Sequence, residues 1–459
     1  MSSRTSAVAN WVASTSYSEF PEGTTTFAKA LLLKTITGMV AGSREPIAKI
    51  LNTYYAEQGG APEAGVVAGG FRTTVENAAY CNATFAHGSE LEDNELPSIT
   101  SAYWMFPALF PMAQKLVSTG REVIEAAIIT WEVASRYCRA GPGWMYMQVH
   151  MCPPSWFGPL GVAAGASKLL KLDAQRTEHA ITIAGSWASG LGQAGCDVHF
   201  LESGHSASTG VQSALFAKAG ATGELGRLER QGGSLYSPVL SFGKTDMSII
   251  DANLGQPPYL INQACIKKYS ACTFAHTSID ALGLIMKENK LRYQDIEYVE
   301  TAVSELGHLA VGTHPEPGDL QEARFSVEYL LAEVMLKGAI SISTFTDPAV
   351  LKDPARIAAK AKVRVKMHPD FVYQSPGAEV TVLASNGKRY VKRLDSWLGS
   401  PEYPLSTEQI RAVCRPYLEY MLPSSACDRI EELVLGLDKQ PDILELMDIL
   451  TYTRVGRRP

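Results

Sequence analysis

The sequence has no Cys-x-x-Cys pair. Its eight cysteines, at positions 81, 138, 152, 196, 265, 272, 414 and 427, follow no regular spacing. That reads as reduced thiols rather than a disulfide framework, and it argues against an iron–sulfur cluster. Basic charge is also scarce. With 41 Lys+Arg against 47 Asp+Glu, the formal net charge is −6, which argues against a nucleic-acid partner because such proteins need a basic face. No apolar run approaches the roughly 18 residues that a membrane span needs. Met1-Ser2-Ser3-Arg4-Thr5 lacks the apolar stretch of a signal peptide. The expected compartment is the cytoplasm, with the mitochondrion left open. The nine histidines include no pair at metal-ligand spacing with a third ligand nearby, so neither a metal nor any other cofactor is expected. Internal repeats and low-complexity tracts are absent too.

What the chain does have is length and small residues. Its 459 residues suffice for two domains with separate cores, and 46% hydrophobic with 19% charged residues is ordinary for a globular enzyme. From Thr25 to about residue 255, apolar positions recur at helical spacing, as in Phe27 to Val40, Val75 to Phe85, Glu122 to Tyr137 and Gly158 to Leu170. Few strands are plausible before residue 290. The pattern changes after Gln256-Pro257-Pro258-Tyr259. Ile296 to Ser304 and Ala361 to Met367 alternate as strands do, and Glu322 to Lys337 reads as a helix. Asn386-Gly387 between Val380–Leu383 and Tyr390-Val391 is a hairpin signal, because Asn-Gly supplies the positive φ angles of a type I′ turn. Ser406 to Tyr420 and Ser424 to Leu437 return to helix, the first with a Ser406-x-x-Gln409 capping box. The fold class expected is mainly α: a large all-helical domain, residues 1–260 with 402–459, plus a smaller α/β domain, 261–401.

Two motif matches fail their context tests. Gly190-Leu191-Gly192-Gln193-Ala194-Gly195 fits G-x-G-x-x-G, but a nucleotide fingerprint needs a strand before it and a helix after it. Ala180 to Ala188 reads as helix instead, and Cys196-Asp197-Val198 does not read as a helix start. Gly204-His205-Ser206-Ala207-Ser208 falls one glycine short of a nucleophile elbow and has no strand to carry it. Ser203, Ser206 and Ser208 are expected to open a helix.

Three segments concentrate reactive groups. Lys267-Lys268-Tyr269-Ser270-Ala271-Cys272-Thr273-Phe274-Ala275-His276 leads into a helix-patterned run, with Thr277 or Ser278 as the expected cap. Cations before a helix start suit an anion or developing negative charge. His87 precedes Glu90, Glu92 and Asp93, and clustered carboxylates can raise one another's pKa into acid–base range; a solvated acidic turn is the plainer reading. His150-Met151-Cys152-Pro153-Pro154-Ser155 holds an imidazole and a thiol in a rigid turn, or else a buried cysteine at a helix entry.

Taken in order, these segments resemble the MmgE/PrpD family, which includes 2-methylcitrate dehydratases, cis-aconitate decarboxylases and iminodisuccinate epimerases. The 267–281 stretch resembles its Lys-x-Tyr-x-x-Cys-(x)-His-x-x-Ile-Asp-Ala region. Asn82 to Asp93 is similar to its Asn-Gly-x-x-x-His-x-x-(acid)-x-(acid)-Asp motif. Ala323 to Tyr329 is similar to Ala-x-Phe-Ser-x-x-Tyr, and Ile430 to Asp438 resembles the C-terminal helix of its fungal decarboxylases. The resemblance implies C-terminal helices packed back on the first domain, an α/β lid, a site between them and a homodimer.

Departures from the family pattern bear on the reaction. Thr100 or Ser101 falls where a His-Pro is usual, Cys152 stands at another histidine, and His199 aligns best with a lysine. Cys272 replaces a further histidine, while Lys267 and Tyr329 keep their places. Aromatic residues such as Trp104, Trp144 and Trp156 lie in the same segments. Since a tricarboxylate needs several cations to replace its water, a less charged organic acid or carbonyl substrate is expected. The resemblance thus implies a cofactor-independent lyase or isomerase. His199, Lys267, Cys152, His150 and Tyr329 would be its catalytic residues, with Lys267 and His199 facing one cleft. Glu90, Asp93, Asn94, Thr100, Ser101, Trp104, Cys272 and His87 would line the substrate. Dehydration, isomerisation, epimerisation and cyclisation stay open. Decarboxylation or dehydration of a small polycarboxylate is the alternative, and an inactive binding protein is the rival from another class.

Overall fold

Small residues decide how the helices of the first half pack. A computed structural model describes residues 3–96, 98, 100–192, 196–230, 235–238 and 241–453. Its principal helices before residue 260 are α1 (Glu22–Gly42), α2 (Val75–Gly88), α3 (Gly120–Arg139), α4 (Pro153–Leu169), α5 (Ala174–Trp187) and α6 (Asp197–Lys218). Local signals set their starts. Thr119 and Glu122 form a capping box at α3, Pro153 opens α4 with a fixed φ, and the Asp173 carboxylate accepts from the Arg176 amide at α5. At Gly204 in α6 a Cβ would lie 2.4 Å from Thr84 Oγ1 and 2.7 Å from the Tyr80 carbonyl oxygen of α2. Glycine costs a helix interior about 1 kcal/mol relative to alanine, and here it permits α2 and α6 to meet backbone to backbone.

This packing corrects two expectations. A helix does begin directly after Cys196, at Asp197. Ser203, Ser206 and Ser208 lie in its interior, buried, and do not open it. Their size serves the crossing: the Ser203 hydroxyl donates to the Ala83 carbonyl of α2 at 3.0 Å. The Gly190–Gly195 motif follows helix α5 rather than a strand, as its context implied; Gln193, Ala194 and Gly195 lie outside the described residues.

The chain divides into two compact units. Met1–Gln193, Asp197–Cys265 and Ser406–Pro459 make the first, and Ala194–Cys196 with Ile266–Leu405 the second. In the second, α7 (Thr273–Asn289) and α8 (Val327–Lys337) pack together, and α7 also contacts a four-stranded sheet. Its strands are β1 (Ile296–Val303), β2 (Val363–Met367), β3 (Ala378–Ala384) and β4 (Arg389–Leu394), in the order β2-β1-β3-β4. β1 pairs parallel with β2 through Val299↔Val363 and antiparallel with β3 through Val299↔Val382. β3 and β4 form the hairpin that Asn386-Gly387 announces, with Gly387 at φ 80°. The helix expected over 322–337 is interrupted: Leu320–Ala323 ends, and Ser326 caps α8 by accepting from the Tyr329 amide at 3.2 Å.

α7 starts earlier than its cap-forming residues imply. Cys272 occupies the cap position, so Thr277 and Ser278 fall inside the helix. Tertiary partners use their hydroxyls instead: Thr277 donates to the Pro376 carbonyl at 2.6 Å, and Ser278 lies 2.8 Å from Thr301 Oγ1 on β1. The helices α9 (Thr407–Met421) and α10 (Ser424–Leu435) belong to the first unit and pack on α1. Ser406 and Gln409 form the expected capping box at α9. Before residue 290, the strands among the described residues are one two-residue antiparallel pair, Ala64–Gly65 with Arg72–Thr73. No helix among the described residues is long and apolar enough to cross a membrane.

Candidate active site

The first unit gathers its titratable groups where α2 ends and α6 begins. His87 sits in the last turn of α2, where the carbonyl end of the helix favours positive charge. The chain then turns sharply, and Glu90 takes a left-handed φ of 52°, rare for a residue with a side chain. Its carboxylate Oε1 lies 3.7 Å from His87 Nε2 and 3.1 Å from His199 Nε2, the second a hydrogen bond from the first full turn of α6. The two imidazole centroids are 4.3 Å apart, and Trp104 packs on His87 at 4.8 Å. His87 and Glu90 are 2% and 1% exposed, while the His199 side chain keeps 17% of its surface. Burial works against a charged His199, but the hydrogen bond and charge of Glu90, helped by Glu92 and Glu202, outweigh it and raise its pKa above 6.5.

Glu202 follows His199 by three residues, on the same face of α6. It accepts from Ser155 Oγ at 3.1 Å and from the Leu191 amide at 2.9 Å, and burial raises its pKa. Gly190, at φ 133°, makes this junction feasible, since a Cβ there would sit 2.6 Å from Ser155 Cβ and Oγ. Beside it, burial first and the Glu202 charge second push the Cys152 thiol up to about 12. Cys152 is therefore a protonated donor near Glu202, not a thiolate nucleophile.

Asp93 and Glu95 each pair with a cation. Lys34 of α1, fully buried, donates to the Leu91 carbonyl at 2.6 Å and lies 3.4 Å from Asp93 Oδ1. Glu95 pairs with Arg139 and accepts from Ser98 Oγ at 2.5 Å. Asn94 bridges to both Ser101 and Cys265, and Thr100 Oγ1 accepts from Ser98 at 2.7 Å. Ser101 is buried and its Oγ has no hydrogen-bond partner among the described residues. The stretch is thus a buried, knitted loop rather than a solvated acidic turn. Asp93 pairs with Lys34 of α1.

Other expected site residues come from other segments. His150 is exposed, with a left-handed φ of 57° that closes a short 3-10 helix. Lys267, Cys272 and Tyr329 belong to the second unit. Lys267 is 1% exposed, the Cys272 amide donates to the Arg324 carbonyl at 3.0 Å, and the Tyr329 hydroxyl donates to the Thr344 carbonyl at 3.0 Å. Glu202, Ser155 and Lys34 were not among the expected residues. A reading of 197–218 as helix would have exposed the His199-x-x-Glu202 pair, and a lone lysine in Leu31-Leu32-Leu33-Lys34 signals a buried charge.

Linear spacing shows no ligand triad, yet donor atoms of His87, Glu90 and His199 lie within 4.8 Å of one another. Two imidazoles and a carboxylate are a feasible metal-ligand set. The shift of His199 toward its protonated form opposes such binding, because an imidazolium has no lone pair to give. The same shift favours proton transfer.

Models of two known family domains match most of the chain. That of the MmgE/PrpD N-terminal domain matches residues 6–244, and that of the MmgE/PrpD C-terminal domain matches residues 269–439. The chain belongs to the MmgE/PrpD family. Relatives in the family include the cis-aconitate decarboxylase of Aspergillus terreus, 26% identical over 97% of this chain and 95% of its own length. The cis-aconitate decarboxylases of Mus musculus and Homo sapiens are 24% and 25% identical over 85% and 83% of this chain, each across 80% of its own length. As a member of this family the protein is an enzyme of the lyase or isomerase type, and its His–Glu–His cluster falls within the N-terminal match.

Proposed function

We propose that this MmgE/PrpD enzyme moves a proton at a carbon next to a carbonyl or carboxylate, on an organic acid or carbonyl compound with fewer than three carboxylates. The hydrogen bond of 3.1 Å between Glu90 and His199 carries the reading. A carboxylate that holds an imidazole protonated creates a donor for developing enolate charge or for the adjacent carbon. The same imidazole, once neutral, takes the proton back. Ser155 and Cys152 both donate to Glu202, so they orient that carboxyl as a second acid–base group. The modest charge of the substrate follows from the loop: Lys34 and Arg139 are already engaged by Asp93 and Glu95, and stripping water from three carboxylates needs unengaged cations.

The names of the relatives favour a second reading, decarboxylation of cis-aconitate itself. Two assays on the purified protein separate them. Carbonyl compounds and monocarboxylates incubated in heavy water should exchange an acidic C–H, seen by NMR, while cis-aconitate should release little carbon dioxide. Rapid carbon dioxide release without exchange would favour the second reading. Inertness in both assays would leave the binding-protein alternative.

Lys267 as holder of a substrate oxygen rests on the motif alone. Lys267→Met should then cost about 3 kcal/mol or more in kcat/KM, the range for losing one oxyanion-stabilising group. Unchanged turnover in a folded variant would remove Lys267 from the mechanism. We further propose a homodimer, the commonest closed assembly of such enzymes; a monomer mass by light scattering at micromolar concentration would refute it.

A further inference from the structure

The second unit holds a cavity of about 650 Å³ that the proposed chemistry does not use. That size is within the roughly 300–1,000 Å³ of small-molecule sites. Ile279 of α7, Val334 of α8 and Leu394 of β4 give it an aliphatic lining. Its one carboxylate is engaged: Asp280 accepts from Lys268 Nζ at 2.7 and 2.9 Å, from the Tyr269 hydroxyl at 2.8 Å and from the Leu398 amide at 3.1 Å. Lys287, in the last turn of α7, lines the same cavity, is exposed, and pairs with no carboxylate among the described residues.

The second observation is Gly283, which faces this cavity from the middle of α7. A Cβ built there meets no atom within 4 Å. A glycine in a helix interior costs about 1 kcal/mol relative to alanine, and close packing does not require this one. What it leaves is room. An open, largely aliphatic groove, a glycine that leaves space along its wall and a cation without a carboxylate partner among the described residues fit a ligand with an alkyl body and one negative charge.

We infer that the second unit carries a further ligand site, taking an amphipathic alkyl monocarboxylate whose chain lies along Gly283 and whose carboxylate meets Lys287. The inference does not depend on the proposed reaction. Octanoate and, as uncharged control, octanol are titrated into the full-length protein by calorimetry. Octanoate should bind saturably and more tightly than octanol. Lys287→Gln should weaken octanoate by about tenfold and leave octanol unchanged. Gly283→Leu should abolish binding of both, with circular dichroism and basal turnover unaltered. If that variant fails to fold, Gly283→Ala, which adds one methyl to open space, should raise the melting temperature and weaken octanoate. Absence of saturable octanoate binding overturns the inference, as does equal binding of octanoate by Lys287→Gln or by a folded Gly283→Leu.

Discussion

His199 is where burial and charge compete most directly. Burial alone would favour the neutral ring, yet Glu90 raises its pKa above 6.5. A step that uses the imidazolium should therefore persist to higher pH than a free histidine allows, then decline as pH rises through the raised value. Glu90→Gln removes the raising partner and leaves burial, so the decline should move to lower pH; profiles of kcat/KM for both proteins check this. The stability linkage has the same sign. The folded state binds the proton more tightly, so the contribution is complete below the unfolded value and is lost as pH rises through the folded one. Divalent zinc should compete with that proton for the His87, Glu90 and His199 donors. It should thus inhibit, more strongly as pH rises, and a chelator should reverse the inhibition. Activation by zinc would instead make the cluster a working metal site.

At the scale of elements, the loop after α2 is tied to α1 through Lys34, which donates to the Leu91 carbonyl and pairs with Asp93, both side chains fully buried. Breaking such a pair from one side leaves an uncompensated charge. Lys34→Met should cost about 3–5 kcal/mol by urea unfolding, and adding Asp93→Asn should recover most of the loss. A loss under about 1 kcal/mol for Lys34→Met would show that the pair does not hold the loop. Much at this scale was legible beforehand. Helical periodicity marked α1, α2 and α3, and Asn386-Gly387 marked the β3–β4 hairpin, because both signals are local. The start of α7 was not legible: Thr277 and Ser278 have cap-forming side chains, but Pro376 and Thr301 claim them.

For the molecule as a whole, Ile266–Leu405 is an insertion in the sequence of the first unit. Its two ends are tied within the second unit: the Ile266 amide donates to the Gly399 carbonyl at 2.7 Å, and Trp397 Nε1 donates to the Ile266 carbonyl at 3.1 Å. A segment with its own sheet, packed helices and joined ends meets the requirements of an independent domain. Residues 266–405 expressed alone should give a dispersed amide NMR spectrum and a cooperative thermal transition. A collapsed spectrum would show that this unit needs the rest of the chain.

Composition, periodicity and turn chemistry were enough to read a helical region, a later α/β region and an ordered set of family motifs, since each depends on residues close in sequence. The proposed catalytic grouping is of another kind. Glu90 and His199 are 109 positions apart, and only the crossing of α2 and α6, allowed by Gly204, brings them to 3.1 Å. The packing of α4 on α6 put Glu202 beside Cys152, and the fold of α1 against the acidic loop paired Asp93 with the buried Lys34. Which acids are engaged and which remain for chemistry is set by burial and by distant partners. Those are properties of packing in three dimensions, and a linear pattern does not contain them.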